Sequence, residues 1–173
     1  GKRNMEAVLY LNNAWEWSGG YSQYLQWAGY GDIPLPRVAG YNAYVDYVSD
    51  FIRSDSAKGM FRRYVMDIVS RTNTVTGKAY RDDPAIFSWQ ICNEPRPFAP
   101  DNKEAFRDWL TSTAELIKSI DPNHMVSVGS EGKYGCEVDL GLWEEIGRSP
   151  YIDYLNIHIW PFNWGWTTRE DMA

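Results

Sequence analysis

Residues 89–96 read Trp89-Gln90-Ile91-Cys92-Asn93-Glu94-Pro95-Arg96, and the chain is best understood outward from them. Ile86 to Cys92 is a short apolar run of the kind that forms a buried strand. It stops at an amide and a carboxylate, and Pro95 then ends any ladder, because proline donates no hydrogen bond and restricts the residue before it. A carboxylate is thereby set where strand gives way to loop. In a parallel α/β barrel that junction collects the catalytic groups. Glu94 is the candidate catalyst, with a solvated loop charge as the competing reading.

Around this stretch the pattern alternates. Ala7-Val8-Leu9-Tyr10-Leu11 is a continuous apolar run, as in a strand covered on both faces. Residues 12–40, rich in Gly, Trp and Tyr and carrying Pro34 and Pro36, read as a long loop. A short helix is predicted from Asn42 to Phe51. A longer one follows, capped by Ser54 or Asp55, with Met60, Phe61, Tyr64, Val65, Ile68 and Val69 on one face. After the strand, Asp101 and Glu104 have capping-box spacing, and Phe106, Trp109, Leu110, Thr113, Ile117 and Ile120 recur at helical spacing. Asp121-Pro122-Asn123 predicts a turn, Met125–Val128 a strand, Leu142–Ile146 a helix and Tyr154–Ile159 a last strand. Strands alternating with helices indicate a parallel α/β architecture.

Composition narrows the function. The formal net charge of −6 argues against a nucleic-acid partner, which needs clustered Lys and Arg. No apolar run approaches the ~20 residues that span a bilayer. Nine Trp and twelve Tyr are many for 173 residues. Trp15, Trp17, Trp27, Trp160, Trp164 and Trp166 fall among Gly, Asn and Ser, where core burial is harder. Rings with polar edges suit sugar faces. Cys92 and Cys136 match no metal spacing, and Cys92 reads as a small buried hydrophobe, although a disulfide stays open. His124 and His158 are far apart in sequence with no ligand pattern between them, so no metal and no cofactor is expected.

The stretch Asn93-Glu94-Pro95 resembles the strand-4 signature of glycoside hydrolase family 5. Leu11-Asn12-Asn13-Ala14-Trp15 with residues 19–27, residues 70–86, and Ile157-His158-Ile159-Trp160-Pro161 are similar in order to blocks of that family's endo-β-1,4-mannanases. The resemblance implies a (β/α)8 TIM barrel of which this chain holds roughly strands 3 to 6. A closed barrel takes about 250 residues, so residues 1–173 are expected to be the central fragment of one catalytic domain, truncated at both ends, with the remaining strands elsewhere in the protein. Thr168–Ala173 then reads as the start of a further helix.

The resemblance also implies roles. Glu94 is the general acid/base of a retaining glycosidase, with a pKa expected to be raised by an apolar, partly closed site. Asn93 holds the sugar 2-hydroxyl, and His158 and Trp160 line the site. Many family members carry Tyr where Trp160 stands, and an indole donates but cannot accept. Arg96 resembles an Arg that holds sugar on the leaving-group side. Glu131 contacts sugar or neighbouring site groups, with a loop charge as the alternative, and Asn13 and Trp15 fall in a substrate-binding block. The nucleophile Glu is expected on strand 7, outside this chain. The implied substrate is β-mannan, and the implied location secreted, periplasmic or on the cell surface. A related endo-β-1,4-glucanase and a non-catalytic glycan-binding protein are the alternatives.

Overall fold

The computed structural model describes residues 3–168 and 170–172. Three parallel strands form its centre in the order β1 (Ala7–Tyr10), β2 (Ile86–Gln90), β3 (Met125–Ser127). Leu9 faces Trp89, and Trp89 faces Val126 across the sheet. Regular strand geometry ends at Gln90, earlier than the apolar run suggests. Pairing nevertheless continues: Leu11 N donates to Gln90 O, Cys92 N to Val128 O, Asn93 N to Asn12 O and Glu94 N to Gly129 O. The sheet thus carries the backbone in register as far as Glu94.

The segment predicted as a loop, residues 12–40, holds α1 (Gly20–Trp27), α2 (Pro36–Ala39) and a 3-10 turn at Glu16–Ser18. Its Gly and Pro mark the joints between short helices, so their density hid the helices themselves. Next come α3 (Tyr41–Ser49) and α4 (Asp55–Val69), the latter capped by Ser54 Oγ accepting from Ala57 N at 3.2 Å. Ala57, Phe61, Val65 and Val69 of α4 are buried; Tyr64, expected on that face, is exposed. The helix α5 (Lys103–Ile120) buries Phe106, Trp109, Leu110, Thr113 and Ile117 as its periodicity predicts. Its expected capping box is absent. Asp101 sits inside a preceding 3-10 turn, Pro100–Asn102, and Asn102 at the N-cap sends its side chain elsewhere. The last helix, α6 (Leu140–Gly147), is capped by Asp139 accepting from Leu142 N.

Helices α1, α4 and α5 meet over an aromatic core. Tyr21 stacks on Phe51 at 4.1 Å, and Trp109 sets its edge against both rings. Such contacts add to the area buried and fix relative orientation. The strand β1 departs from expectation: Val8 and Tyr10 are exposed, because among the described residues β1 pairs only with β2.

The strand predicted at Tyr154–Ile159 is not formed. The segment runs beside β3 and the loop after it, and among the described residues its backbone bonds there are Asp153 N to Val126 O and His158 N to Ser130 O. Between them, Val126 N is taken by Asp153 Oδ2 and Gly129 N by Asn156 Oδ1. Side chains have claimed the donors that a ladder would use. Of the helix start expected at Thr168–Ala173, Glu170–Met172 is a 3-10 turn, while Arg169 and Ala173 lie outside the described residues.

Candidate active site

Glu94 lies four residues beyond β2, at the carboxyl end of the parallel sheet. Its backbone is left-handed, φ +51, which for a non-glycine residue costs roughly 1–2 kcal/mol. Pairing on both sides over-determines this conformation. Glu94 N donates to Gly129 O at 2.9 Å, while Asn93 is clamped to Asn12 and Ala14. Gly129 itself is required. Its φ is +87, and a Cβ there would overlap the carbonyl of Cys92 and the amide of Gln90.

Glu94 is 6% exposed, and its carboxylate accepts three hydrogen bonds. Trp15 Nε1 donates to Oε2 at 2.7 Å, and Trp160 Nε1 to Oε1 at 3.0 Å. His158 Nδ1 lies 2.9 Å from Oε1. An ionised carboxylate only accepts, so the proton of this pair belongs on Nδ1. Burial pushes the Glu94 carboxyl up, but the His158, Trp160 and Trp15 hydrogen bonds outweigh it and hold the group below its ordinary value. The raised pKa expected from an apolar site is therefore corrected for this chain. The wall is aromatic, yet its polar edges point inward.

Glu94 opens on a cleft of about 600 Å³ lined also by Trp15, Trp17, Tyr41, Arg96, Glu131, Trp160 and Trp164. Arg96 and Glu131 form a bidentate pair, Nε to Oε2 at 2.6 Å and Nη2 to Oε1 at 2.7 Å, with Glu131 2% exposed. The Arg96 guanidinium lies over the Trp15 ring at 5.3 Å. Trp15, expected as a loop aromatic hard to bury, is in fact buried, between Tyr41, Tyr44 and Phe98. Trp17 remains 71% exposed at the rim.

Asn93 and Asn13 are brought together, Asn93 Nδ2 donating to Asn13 Oδ1 at 3.3 Å. Asn93 directly precedes Glu94 in the chain. Asn13 lines a separate cavity of about 660 Å³ between β1, α1 and α4. Its Oδ1 also accepts from Trp15 N, and its Nδ2 donates to Ser18, so it shapes the turn that delivers Trp15.

Asn102 was not singled out from sequence. It is 1% exposed, donates to Pro97 O and Ser49 O at 2.8 Å each, and accepts from Arg53 Nε at 2.6 Å. It ties the loop carrying Glu94 and Arg96 to the end of α3. The only local signal, an Asn before a helical run, is shared with ordinary N-caps.

Cys92 and Cys136 are buried free thiols, the latter pushed up to about 12 by burial. His124 is at the opposite end of β3 from Glu131, bonded to Asp121. Among the described residues no three His, Cys, Asp or Glu side chains group as metal ligands.

The family model described as "GH family 5 beta-mannosidase-like" matches residues 1–173. The chain belongs to glycoside hydrolase family 5. Mannan endo-1,4-beta-mannosidase 1 of Arabidopsis thaliana is 32% identical over 95% of this chain and 39% of its own length. A family 5 mannosidase from Rhizomucor miehei, solved with mannosyl-fructose, superposes with a TM-score of 0.80 at 34% identity, covering 95% of this chain and 38% of that one. The endo-1,4-beta-mannanase of the same organism gives 0.78 at 28%, covering 97% and 48%. This family 5 chain thus spans about two fifths of the length of the curated relatives it matches. Its fold is α/β, part of a (β/α)8 barrel.

Proposed function

We propose that this family 5 chain is the central part of a retaining glycoside hydrolase that cleaves internal β-1,4-mannosidic bonds, with Glu94 as general acid/base and the nucleophile outside residues 1–173. One observation carries the reading. A carboxylate at the carboxyl end of a parallel strand is buried, aimed into an aromatic-lined cleft and held by three nitrogen donors. A binding platform of exposed Trp needs no such group.

Cleavage requires a proton on the leaving oxygen, so Glu94 must start protonated. In this chain its donors favour the ionised form. A second carboxylate about 5–5.5 Å away, the separation of retaining enzymes, raises the pKa by like-charge repulsion. Once the nucleophile is glycosylated that charge is gone, and the donors of Trp15, Trp160 and His158 return Glu94 to the base that activates water. Glu131 is not the second carboxylate, since both its oxygens are engaged by Arg96. The Trp160 indole supports the acid/base here, a task its hydrogen-bond chemistry allows. An extracellular or cell-surface location, where polysaccharide is met, is part of this reading.

The test is Glu94→Gln in the full-length protein. Activity on unactivated mannan should fall by about 10²–10⁴ while oligosaccharide binding persists. An activated aryl mannoside, whose leaving group needs little protonation, should lose less in its first step. Equal and modest losses on both substrates would remove Glu94 from the role.

A second reading is release of single mannose units from chain ends. It is favoured by the β-mannosidase-like family description and by the higher identity to the Rhizomucor miehei mannosidase than to its mannanase. Product analysis on mannohexaose separates the two: mannose alone from the outset supports end-wise action, and mixed oligosaccharides with falling mannan viscosity support internal cleavage.

A further inference from the structure

Four residues from three separate segments form one continuous contact chain in the cleft. Glu131, just after β3, grips Arg96 through two charge-assisted bonds of 2.6 and 2.7 Å. Arg96, just after β2, lies over the Trp15 indole at 5.3 Å. Trp15, in the turn after β1, donates its only side-chain polar hydrogen to Glu94 Oε2 at 2.7 Å. Each link depends on the one before. An Arg side chain left unpaired in a cleft samples many rotamers, whereas a planar fork seated on a carboxylate is fixed in position and plane. That guanidinium lies over one face of the indole. Phe98, edge-to-face with ring centroids 5.5 Å apart, and Tyr44, stacked with centroids 6.4 Å apart, confine it from other sides. The indole orientation sets the angle of the N–H toward Glu94.

We propose that Glu131 is a positioning residue for the acid/base, acting on Glu94 through Arg96 and Trp15 rather than by touching the sugar first. This rests on the reading of Glu94 given above. Glu131 can do this because it is only 2% exposed and both its oxygens are held by the Arg96 fork. Three further Arg96 hydrogens, two on Nη1 and one on Nη2, remain for substrate, so the pair orders the donor without silencing it.

The relay predicts a coupled pH response. The titratable and charged groups facing Glu94 or lining its cleft are His158, Arg96, Glu131, Glu16, Tyr41 and Cys92. Of the donors on Glu94, only the Trp15 bond depends on Glu131. Losing that bond should move the Glu94 limb of the pH profile upward, since a donor to the carboxylate favours its ionised form.

In the full-length protein, kcat and KM for a mannooligosaccharide are measured across pH for wild type, Glu131→Gln, Glu131→Asp, Trp15→Phe, Arg96→Lys and the Glu131→Gln/Trp15→Phe double variant. Circular dichroism and thermal melting compare their folding. Glu131→Gln should lower kcat by about tenfold to a hundredfold with a smaller change in KM. The limb is read in Trp15→Phe and Arg96→Lys, which keep the Glu131 charge and should both raise it. In Glu131→Gln the lost charge lowers the Glu94 pKa and opposes the lost Trp15 bond. In kcat the double variant should resemble Trp15→Phe alone, because one path is being cut twice. Glu131→Asp, which keeps the charge, should recover part of the loss. Additive effects on kcat, an unshifted limb in Trp15→Phe or Arg96→Lys, or a change in KM alone in Glu131→Gln would overturn the relay and leave a direct sugar contact or a fold-supporting ion pair. If Glu131→Gln melts early and cannot be assayed, Trp15→Phe and Arg96→Lys carry the test: both must shift the limb upward, and an unshifted limb in either overturns the proposal. Failure of the Glu94 reading is distinguishable, because Glu94→Gln would then leave mannan cleavage largely intact.

Discussion

Glu94 is the residue on which every other feature of the site converges. Its left-handed backbone is strained, its side chain is buried, and three N–H groups fix both carboxylate oxygens. A strained backbone and three bonds to the carboxylate together hold a reacting group in one geometry. A second buried carboxylate, Asp121, shows what the same chemistry does away from the cleft. It accepts from Trp89 Nε1 and His124 Nδ1 at 2.7 Å each and from the backbone of Asn123 and His124. Burial pushes its carboxyl up, but these donors outweigh burial and hold it below its ordinary value. The sign follows directly. A carboxylate with a depressed folded pKa contributes stability above its unfolded value of about 3.9, and that stability is lost as pH falls through the lower folded value. Asp121→Asn is expected to cost about 2 kcal/mol near neutral pH by leaving buried donors poorly matched. Thermal unfolding should show the variant closing on wild type as pH drops below 4. A constant gap from pH 7 to pH 3 would contradict the assignment.

At the scale of elements, the site is made by the ends of strands rather than by the strands themselves. The loop from Asn93 to Asn102 carries Glu94 and Arg96, and its shape is held at one end by Gly129 and at the other by Asn102. Gly129→Ala should damage the site out of proportion to one methyl. The added Cβ collides with the Cys92 carbonyl, and the residue must also hold φ +87. The expected outcome is a loss of activity with a destabilisation of at least about 1–2 kcal/mol, seen in parallel assays and denaturant melts. Asn102→Ala removes three hydrogen bonds at once and should cost roughly 2–3 kcal/mol. By contrast Ser54→Ala, which removes only the cap of α4, should cost about 1 kcal/mol and leave kcat unchanged. If Asn102→Ala melted like Ser54→Ala, the loop would not depend on that knot.

Across the whole molecule the apolar surface is uneven. Val8 and Tyr10 of β1, Phe87 of β2, and Leu155, Ile157 and Ile159 beside β3 are all exposed, alongside strand edges with free backbone groups. Exposed strand residues of this kind mark surfaces that other chain segments cover. In the barrel proposed here they face the remaining strands. Expressed by itself, the 173-residue chain is expected to self-associate and to bind a hydrophobic dye, and to show no appreciable mannanase turnover for want of a nucleophile. Light scattering and a reducing-sugar assay check both. A monodisperse monomer with ordinary turnover would refute the placement of the nucleophile outside this chain.

Sequence alone was enough for the alternation of strands and helices, the inner face of α5, and the location of Glu94, because these follow from local periodicity and from proline's inability to continue a ladder. The blocks around Asn93-Glu94-Pro95, met in order, were enough for the family. What sequence could not supply were relations between segments far apart in the chain. That Trp15 is buried against Glu94, 79 residues away, depends on how two strand ends pair in register. The direction of the Glu94 pKa depends on whether the aromatic wall turns ring faces or N–H edges inward, which composition does not encode. The strand expected at Tyr154–Ile159 failed because Asp153 and Asn156 took the backbone donors of Val126 and Gly129, a competition decided only once the segments lie side by side. Local propensity selects elements; the polar contacts between their ends decide the chemistry.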